Sequence, residues 1–190
     1  MPRREIPLQP GNFYHIYNRV NNHQTIFFER ENYIYFLKLL RKHLIINAID
    51  IIAYCLMPNH YHLLVYLRDE TLSEAMKSLS IAYTKAINKR FNRSGVLFQG
   101  RFQSIHVAKI EYLINFSRYI HLNPVKAALV QQPEEWEFSS YLEYTGLRAG
   151  TLPRPDYIRM QFDDESSYQQ FLVDCNLPHS IDFKKLLLDD

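Results

Sequence analysis

Segments of two-residue and of helical apolar periodicity alternate along this chain, and their order is what most restricts its fold. A two-residue period predicts a strand, whereas apolar residues spaced three and four apart predict an amphipathic helix. The predicted order is strand, helix, two strands joined by a turn, helix, strand and helix. The expected bounds are 13–20, 29–46, 48–56, 60–67, 71–92, 102–107 and 110–122.

Proline marks two of these boundaries. Met57-Pro58-Asn59 separates two apolar segments and predicts a hairpin turn, and Pro124 is expected to end the last helix. The order of elements predicts an α+β fold, a ferredoxin-like split βαβ antiparallel sheet with helices on one face. The last helix is then an extra element packed on this sheet.

The chain divides into three parts by composition. Residues 1–10 are polar with three prolines and are interpreted as a flexible N-terminal arm, and 11–150 as the main domain. Residues 151–190 carry 4 Lys and Arg against 8 Asp and Glu, whereas 1–150 carry 18 against 12. This acidic extension is expected to be largely irregular, with helical pieces near 165–173 and 182–188. It is interpreted as a solvated segment or as a competitor of nucleic acid for the basic body.

Several classes of protein are disfavoured by the sequence. No run approaches 18 consecutive apolar residues and the first residues lack an apolar core, so we expect neither a membrane span nor a signal peptide. Two distant cysteines, Cys55 and Cys175, form no disulfide framework and suit a reducing compartment. A cytoplasmic location is therefore predicted.

His60 and His62 are the strongest candidates for a metal site. They lie two residues apart in a predicted strand, so their side chains project from the same face. Two neutral imidazoles at this spacing can bind one divalent cation. Two unrelated histidines on a polar strand face remain the alternative explanation.

Tyr119 and Asn123 form the second candidate cluster. In the predicted last helix they are four residues apart and share a face. Such a pair could supply a nucleophile and a third metal ligand, although a core tyrosine near a helix end explains the same spacing. Tyr112 lies seven residues before Tyr119 on that face and is the alternative nucleophile. A metal and a tyrosine together suit phosphodiester transfer through a covalent intermediate.

Four segments carry a resemblance to a known family. They are Met57-Pro58-Asn59 with His60-Tyr61-His62, Phe98-Gln99-Gly100-Arg101-Phe102, the segment from Arg118 to Lys126, and Trp136-Glu137-Phe138-Ser139-Ser140-Tyr141. In this combination the chain, over about residues 10 to 145, resembles the single-tyrosine HUH transposases, and most of all the REP-associated tyrosine transposases.

The resemblance implies a site and a reaction. His60, His62 and Asn123 would hold Mg²⁺ or Mn²⁺, and Tyr119 would attack single-stranded DNA to form a 5′-phosphotyrosine and free a 3′-hydroxyl. It also implies hairpin or palindromic repeat DNA as the substrate, and it leaves a homodimer open. The chain is thus expected to be a metal-dependent DNA endonuclease and strand transferase.

Basic residues outside this cluster are candidate DNA contacts. They are Arg3, Arg4, Lys85, Lys89, Arg90, Arg93 and Arg101. A solvated helix face or surface loop explains them as well. With 14 Tyr and 12 Phe, the chain could also be a non-catalytic module that stacks unpaired bases. A replication initiator or relaxase of the wider HUH group, and an inactive transposase copy, are further alternatives.

Overall fold

Four strands and six α-helices make up the part of the chain that the structure, a computed structural model, describes: residues 7–20 and 24–173. The strands are β1 (Phe13–Arg19), β2 (Ile49–Met57), β3 (His60–Leu67) and β4 (Gln103–Val107). The helices are α1 (Arg30–His43), α2 (Leu72–Arg90), α3 (Ile110–Lys126), α4 (Tyr141–Tyr144), α5 (Asp156–Arg159) and α6 (Glu165–Val173), with 3-10 turns at Ile45–Asn47 and Pro133–Glu135. No helix within these residues is long and apolar enough to cross a membrane.

The strands form one antiparallel sheet in the order β2-β3-β1-β4. β1 pairs with β3 and β4, and β2 pairs with β3 across the turn at Pro58 and Asn59. This order, with α1 between β1 and β2 and α2 between β3 and β4, is that of a split βαβ sheet. The predicted α+β, ferredoxin-like fold is therefore confirmed.

The two faces of the sheet contact different helices. Tyr61, Leu63 and Val65 of β3 face the larger apolar cluster, which includes buried residues of α1 and α2. Leu64, one residue out of phase, faces a second cluster that includes Leu113 and other residues of α3. The alternation of β3 thus directs its even-numbered residues, His60 and His62 among them, towards α3.

Pro124 does not end the last helix, which contradicts our expectation. α3 continues to Lys126 with Pro124 buried inside it. Proline removes only its own amide hydrogen, and the amides that follow still find acceptors, as in the Ala127 N–H bond to Asn123 O at 3.0 Å. The extra turn places Asn123 inside the helix and not at its end.

The outer edge of β2 is covered by the segment around Phe138. The Leu56 N–H donates to Phe138 O at 3.0 Å, and the Ser140 N–H donates to Tyr54 O at 2.9 Å. The indole of Trp136 also donates to Leu56 O at 3.0 Å. The short segment thus satisfies backbone groups that an edge strand would otherwise expose.

The described part of the acidic extension packs on α3. Tyr168 of α6 is fully buried in the second cluster, as is Ile158 of α5. The Tyr168 hydroxyl lies 2.7 Å from His121 Nδ1 and 3.1 Å from Ser117 Oγ, while His121 Nε2 lies 2.8 Å from Ser140 Oγ. A solvated segment is thus a wrong description of residues 156–172, whereas the predicted helix near 182–188 falls outside the described residues.

Lowering the pH below about 6.5 is expected to destabilise this fold. Burial lowers the pKa of His121 and of His15 from 6.5 to about 3. Between these values the unfolded chain binds protons that the folded chain does not. Each histidine therefore lowers the free energy of unfolding by about 1.4 kcal/mol for every unit by which the pH is lowered. Urea unfolding near neutral pH and at about pH 5 measures this slope. His121→Gln is expected to make the slope shallower, and an unchanged slope would contradict the role of His121.

Candidate functional site

His60 and His62 lie side by side on the α3 face of the sheet. Their ring centroids are 4.9 Å apart with the rings at 80° to each other. His62 is fully buried, whereas His60 is partly exposed at the start of β3. The two side chains share a face, as the strand alternation predicted, and one member of the pair faces solvent while the other is inside the protein.

Both histidines have a partner at the ring nitrogen Nδ1. His60 Nδ1 lies 2.6 Å from the side-chain oxygen of Asn59, and His62 Nδ1 lies 3.0 Å from Nε2 of His15 on β1. With the Asn59 amide in this orientation its oxygen only accepts hydrogen bonds, so His60 carries its hydrogen on Nδ1. This leaves the lone pair of His60 on Nε2, where a metal would bind.

α3 brings Tyr119 and Asn123 to the same place. The Tyr119 ring stands nearly perpendicular to the His62 ring, with centroids 5.3 Å apart. The Asn123 amide nitrogen lies 3.4 Å from His62 Nε2. The four residues singled out as ligands and nucleophile thus form one cluster between β3 and α3.

Burial and charge control ionisation in this cluster. Burial, with smaller contributions from His60 and His15, holds the pKa of His62 well below its usual range. His62 therefore stays neutral and able to bind a cation. The Lys126 ammonium lies 5.2 Å from the centre of the Tyr119 ring, in a cation–π contact.

Two imidazoles and one amide are the donors that this cluster offers to a divalent cation. Within residues 7–20 and 24–173, no group of three or more His, Cys, Asp or Glu side chains could hold a metal ion. A third protein ligand must therefore be of another type. The Asn123 amide nitrogen now faces His62 Nε2. Rotating the amide by half a turn would exchange its two ends and bring the oxygen to that position. Two imidazoles and an amide oxygen fit Mn²⁺, or Mg²⁺ with added waters.

Two other tyrosines, Tyr112 and Tyr17, have surroundings that differ from those of Tyr119. Tyr112, the alternative nucleophile, lies on α3 beside the Lys109 ammonium, which is 5.7 Å from its ring. Tyr17 is directly opposite His62 in the strand register, with ring centroids 6.3 Å apart. Burial raises the pKa of Tyr17, against the opposing charge of Arg19. Tyr17 was not a candidate from sequence, yet it lies beside the histidines.

The candidate DNA contacts within the described residues have different surroundings. Lys85 and Arg101 line one groove of about 660 Å³ between α2 and the loop before β4. Arg90 instead pairs with Glu29 at 3.1 Å, and the Arg93 guanidinium stacks over Phe28 at 5.3 Å. Lys89 is exposed on α2. Arg3 and Arg4 lie outside the described residues.

Three residues of this cluster were missed by sequence reasoning. His15 could have been found, because the predicted topology places β1 beside β3 and the alternation of β1 turns His15 to the α3 face. Asn59 was interpreted only as a turn residue. Lys126 was beyond the predicted helix end, so its approach to Tyr119 depended on the helix continuing past Pro124.

Comparison with known proteins identifies the family. The model of the family described as "Transposase IS200 like" matches residues 11–123, more than half of the chain. The chain therefore belongs to the IS200-like transposases, a family of transposase enzymes.

Two relatives agree with this assignment. A protein of Haemophilus influenzae named a REP-associated tyrosine transposase is 29% identical over 103 residues, covering 48% of this chain. The match spans 58% of the length of that relative. A solved structure of a REP-associated tyrosine transposase bound to a REP hairpin has the same fold, with a TM-score of 0.65 and 20% identity, over 81% of this chain and 94% of that one.

Proposed function

We propose that this protein is a metal-dependent single-strand DNA endonuclease and strand transferase that works through Tyr119. The observation that carries the proposal is the cluster between β3 and α3. There the Tyr119 ring lies 5.3 Å from His62, and the Asn123 amide nitrogen lies 3.4 Å from His62 Nε2. Each of these side chains belongs to a rigid element, which suits a site that must hold a reacting phosphate in one position.

In the proposed reaction the Tyr119 hydroxyl is the nucleophile. Its oxygen bonds to phosphorus and its proton passes to solvent, while the bond from phosphorus to O3′ of the preceding nucleotide breaks and O3′ takes up a proton from solvent. The products are a 5′-phosphotyrosine and a free 3′-hydroxyl. A second 3′-hydroxyl can attack the phosphotyrosine and restore the tyrosine, which joins two strands without an external energy source.

His60, His62 and Asn123 would hold the divalent cation, Mg²⁺ or Mn²⁺. When bound, the cation supplies Lewis-acid neutralisation of the phosphate oxygens. Because all three protein ligands are neutral, they leave the charge of the cation undiminished. Lys126, whose ammonium lies 5.2 Å from the centre of the Tyr119 ring, would place a positive charge beside the nucleophile.

Hairpin or palindromic single-stranded DNA is the proposed substrate. The structural relative was solved with a REP hairpin, which motivates this choice. Lys85 and Arg101, together with Lys77, line one groove and would contact the DNA backbone there. Lys89, Arg90, Arg93, Arg3 and Arg4 are proposed as further contacts, with 11–150 as the catalytic domain. Residues 7–10 of the expected flexible arm are instead held against this domain, because the Gln9 N–H donates to the Tyr14 hydroxyl at 2.9 Å and that hydroxyl donates to Pro7 O at 3.2 Å.

A homodimer is not needed to assemble the proposed site. Tyr119, Asn123 and both histidines come from one chain and meet within it. We propose that a single chain can cut DNA, in the cytoplasm, whether or not two chains associate. Cleavage that rises in proportion to protein concentration, not to its square, would agree with this.

The covalent intermediate is the direct test. Labelled single-stranded hairpins incubated with the protein and Mn²⁺ or Mg²⁺ are expected to give a protein–DNA band that survives a denaturing gel. Chelation of the metal, or His60→Ala, is expected to remove the band, because each takes away part of the proposed site. His60 is partly exposed, so its loss should leave the fold intact.

His106→Ala is the matched control for that test. His106 is also a partly exposed strand histidine, but it packs against Tyr14, whose ring belongs to the α1 and α2 face of the sheet. This variant should retain the band. DNA binding without any band would instead favour a non-catalytic binding module or an inactive transposase.

A further inference from the structure

His15 is a buried histidine on β1 that no step of the proposed reaction uses. It is 1% exposed and lies against the rings of Phe116 and His62. Its Nε2 is 3.0 Å from His62 Nδ1, and the two rings are inclined by only 22°. Since the hydrogen and the lone pair of an imidazole lie in the ring plane, this geometry directs each nitrogen at the other.

One of these two nitrogens must donate and the other accept, so each histidine constrains the hydrogen position of the other. A neutral imidazole has one N–H and one lone pair. His62 faces His15 through Nδ1 and Asn123 through Nε2. If His62 is to bind a cation through Nε2, its hydrogen must be on Nδ1 and His15 Nε2 must accept it.

The hydrogen position required of His15 costs free energy in its surroundings. To accept a hydrogen bond it must have its lone pair on Nε2, the nitrogen that faces His62 Nδ1 at 3.0 Å. Its hydrogen is then on Nδ1, an atom that has no hydrogen-bond partner among the described residues. A buried N–H without a partner is unfavourable. Stability alone therefore does not account for a histidine at this position.

His60 provides an independent parallel. Its Nδ1 is also engaged, by the acceptor-only oxygen of Asn59 at 2.6 Å, so its lone pair is on Nε2. An acceptor at Nδ1 of each histidine thus gives both rings the same hydrogen position. Metal-binding histidines in proteins almost always donate their other N–H to such a partner.

We infer that His15 is a positioning residue, which accepts the Nδ1 hydrogen of His62 and so presents His62 Nε2 as a metal ligand. The metal part of this inference rests on the proposed function. The effect of His15 on the hydrogen position of His62 does not depend on it. His15 itself touches neither the cation nor the DNA in this assignment.

Two variants of His15 distinguish the effect of its hydrogen-bond acceptor from the effect of its ring shape. His15→Phe keeps a flat ring but removes the acceptor, whereas the side-chain oxygen of Gln in His15→Gln can replace Nε2. Mn²⁺ titration followed by the electron paramagnetic resonance of free Mn²⁺ is expected to show about 10- to 100-fold weaker binding for His15→Phe. His15→Gln is expected to restore most of the affinity. Equal affinities for wild type and His15→Phe, or equal losses in both variants, would overturn the inference.

Nuclear magnetic resonance of the imidazole nitrogens supplies the second readout, without metal. His62 in the wild type and in His15→Gln is expected to carry its hydrogen on Nδ1, and in His15→Phe to lose this preference. A wild-type His62 protonated on Nε2 would overturn the inference even if His15→Phe failed to fold. Nδ1 protonation in a wild-type protein that binds no Mn²⁺ would instead support the role of His15 and contradict the metal part of the proposed function.

Discussion

Tyr119→Phe is expected to abolish the covalent protein–DNA intermediate and to lower cleavage by on the order of 10³-fold or more, as loss of a nucleophile does in other covalent enzymes. The substitution removes only the hydroxyl. The ring that stands over His62 and beneath Lys126 remains, so neither the fold nor Mn²⁺ binding should change. A denaturing gel measures the intermediate, and Mn²⁺ titration and thermal melting measure the rest.

Two tyrosine controls make that result specific. Tyr112→Phe changes a partly exposed tyrosine on the same helix, and Tyr17→Phe changes the tyrosine opposite His62 in the strand register. Both should retain the band. A band that survives Tyr119→Phe but disappears in Tyr17→Phe or Tyr112→Phe would assign the nucleophile to that residue, and our proposal for Tyr119 would be wrong.

Tyr168→Ala is expected to lower the free energy of unfolding by about 3–5 kcal/mol, in the range of aromatic truncations in a core. Tyr168 of α6 is fully buried against α3, and its hydroxyl is within hydrogen-bond distance of His121 and Ser117. For a chain of this length the melting temperature should fall by about 10 °C. Thermal and urea unfolding both measure the loss.

Tyr168→Phe is the matched variant for that experiment. It keeps the packing and removes the hydroxyl, so about 1–3 kcal/mol should be lost. A Tyr168→Ala protein as stable as the wild type would show that α6 contributes little to the fold. The same contacts predict that deleting residues from 151 onwards weakens the fold, so a change in cleavage on truncation would not by itself demonstrate gating by the acidic extension.

The sequence predicted the elements whose pattern is local. β3 begins at His60 and ends at Leu67 as expected, because its apolar alternation is bounded by Pro58 and Asn59 on one side and by charged residues on the other. Tyr119 and Asn123 share a helix face because helical spacing is a local property. The meeting of these two elements was expected from the resemblance to the HUH transposases, because neither local pattern specifies the other.

The parts that escaped prediction depend on contacts distant in sequence. His15 is 47 residues from His62, and a single histidine in an aromatic strand carries no local sign of a partner. Tyr168 is likewise 47 residues from His121, in a segment whose acidic composition favoured a solvated interpretation. Pro124 was judged by its missing amide hydrogen alone, whereas its buried ring and the amides beyond it determine where α3 ends.

The backbone hydrogen bonds that Phe138 and Ser140 make to the outer edge of β2 should also prevent self-association. All nine residues of β2 are buried, so this strand is an apolar template at the rim of the sheet. If the segment around Phe138 detached, another chain could pair with the exposed edge and propagate intermolecular sheet. Damage there should therefore appear as aggregation during expression before any loss of catalysis could be measured. The opposite rim, β4, has only five residues and a polar beginning, and it offers a much poorer template.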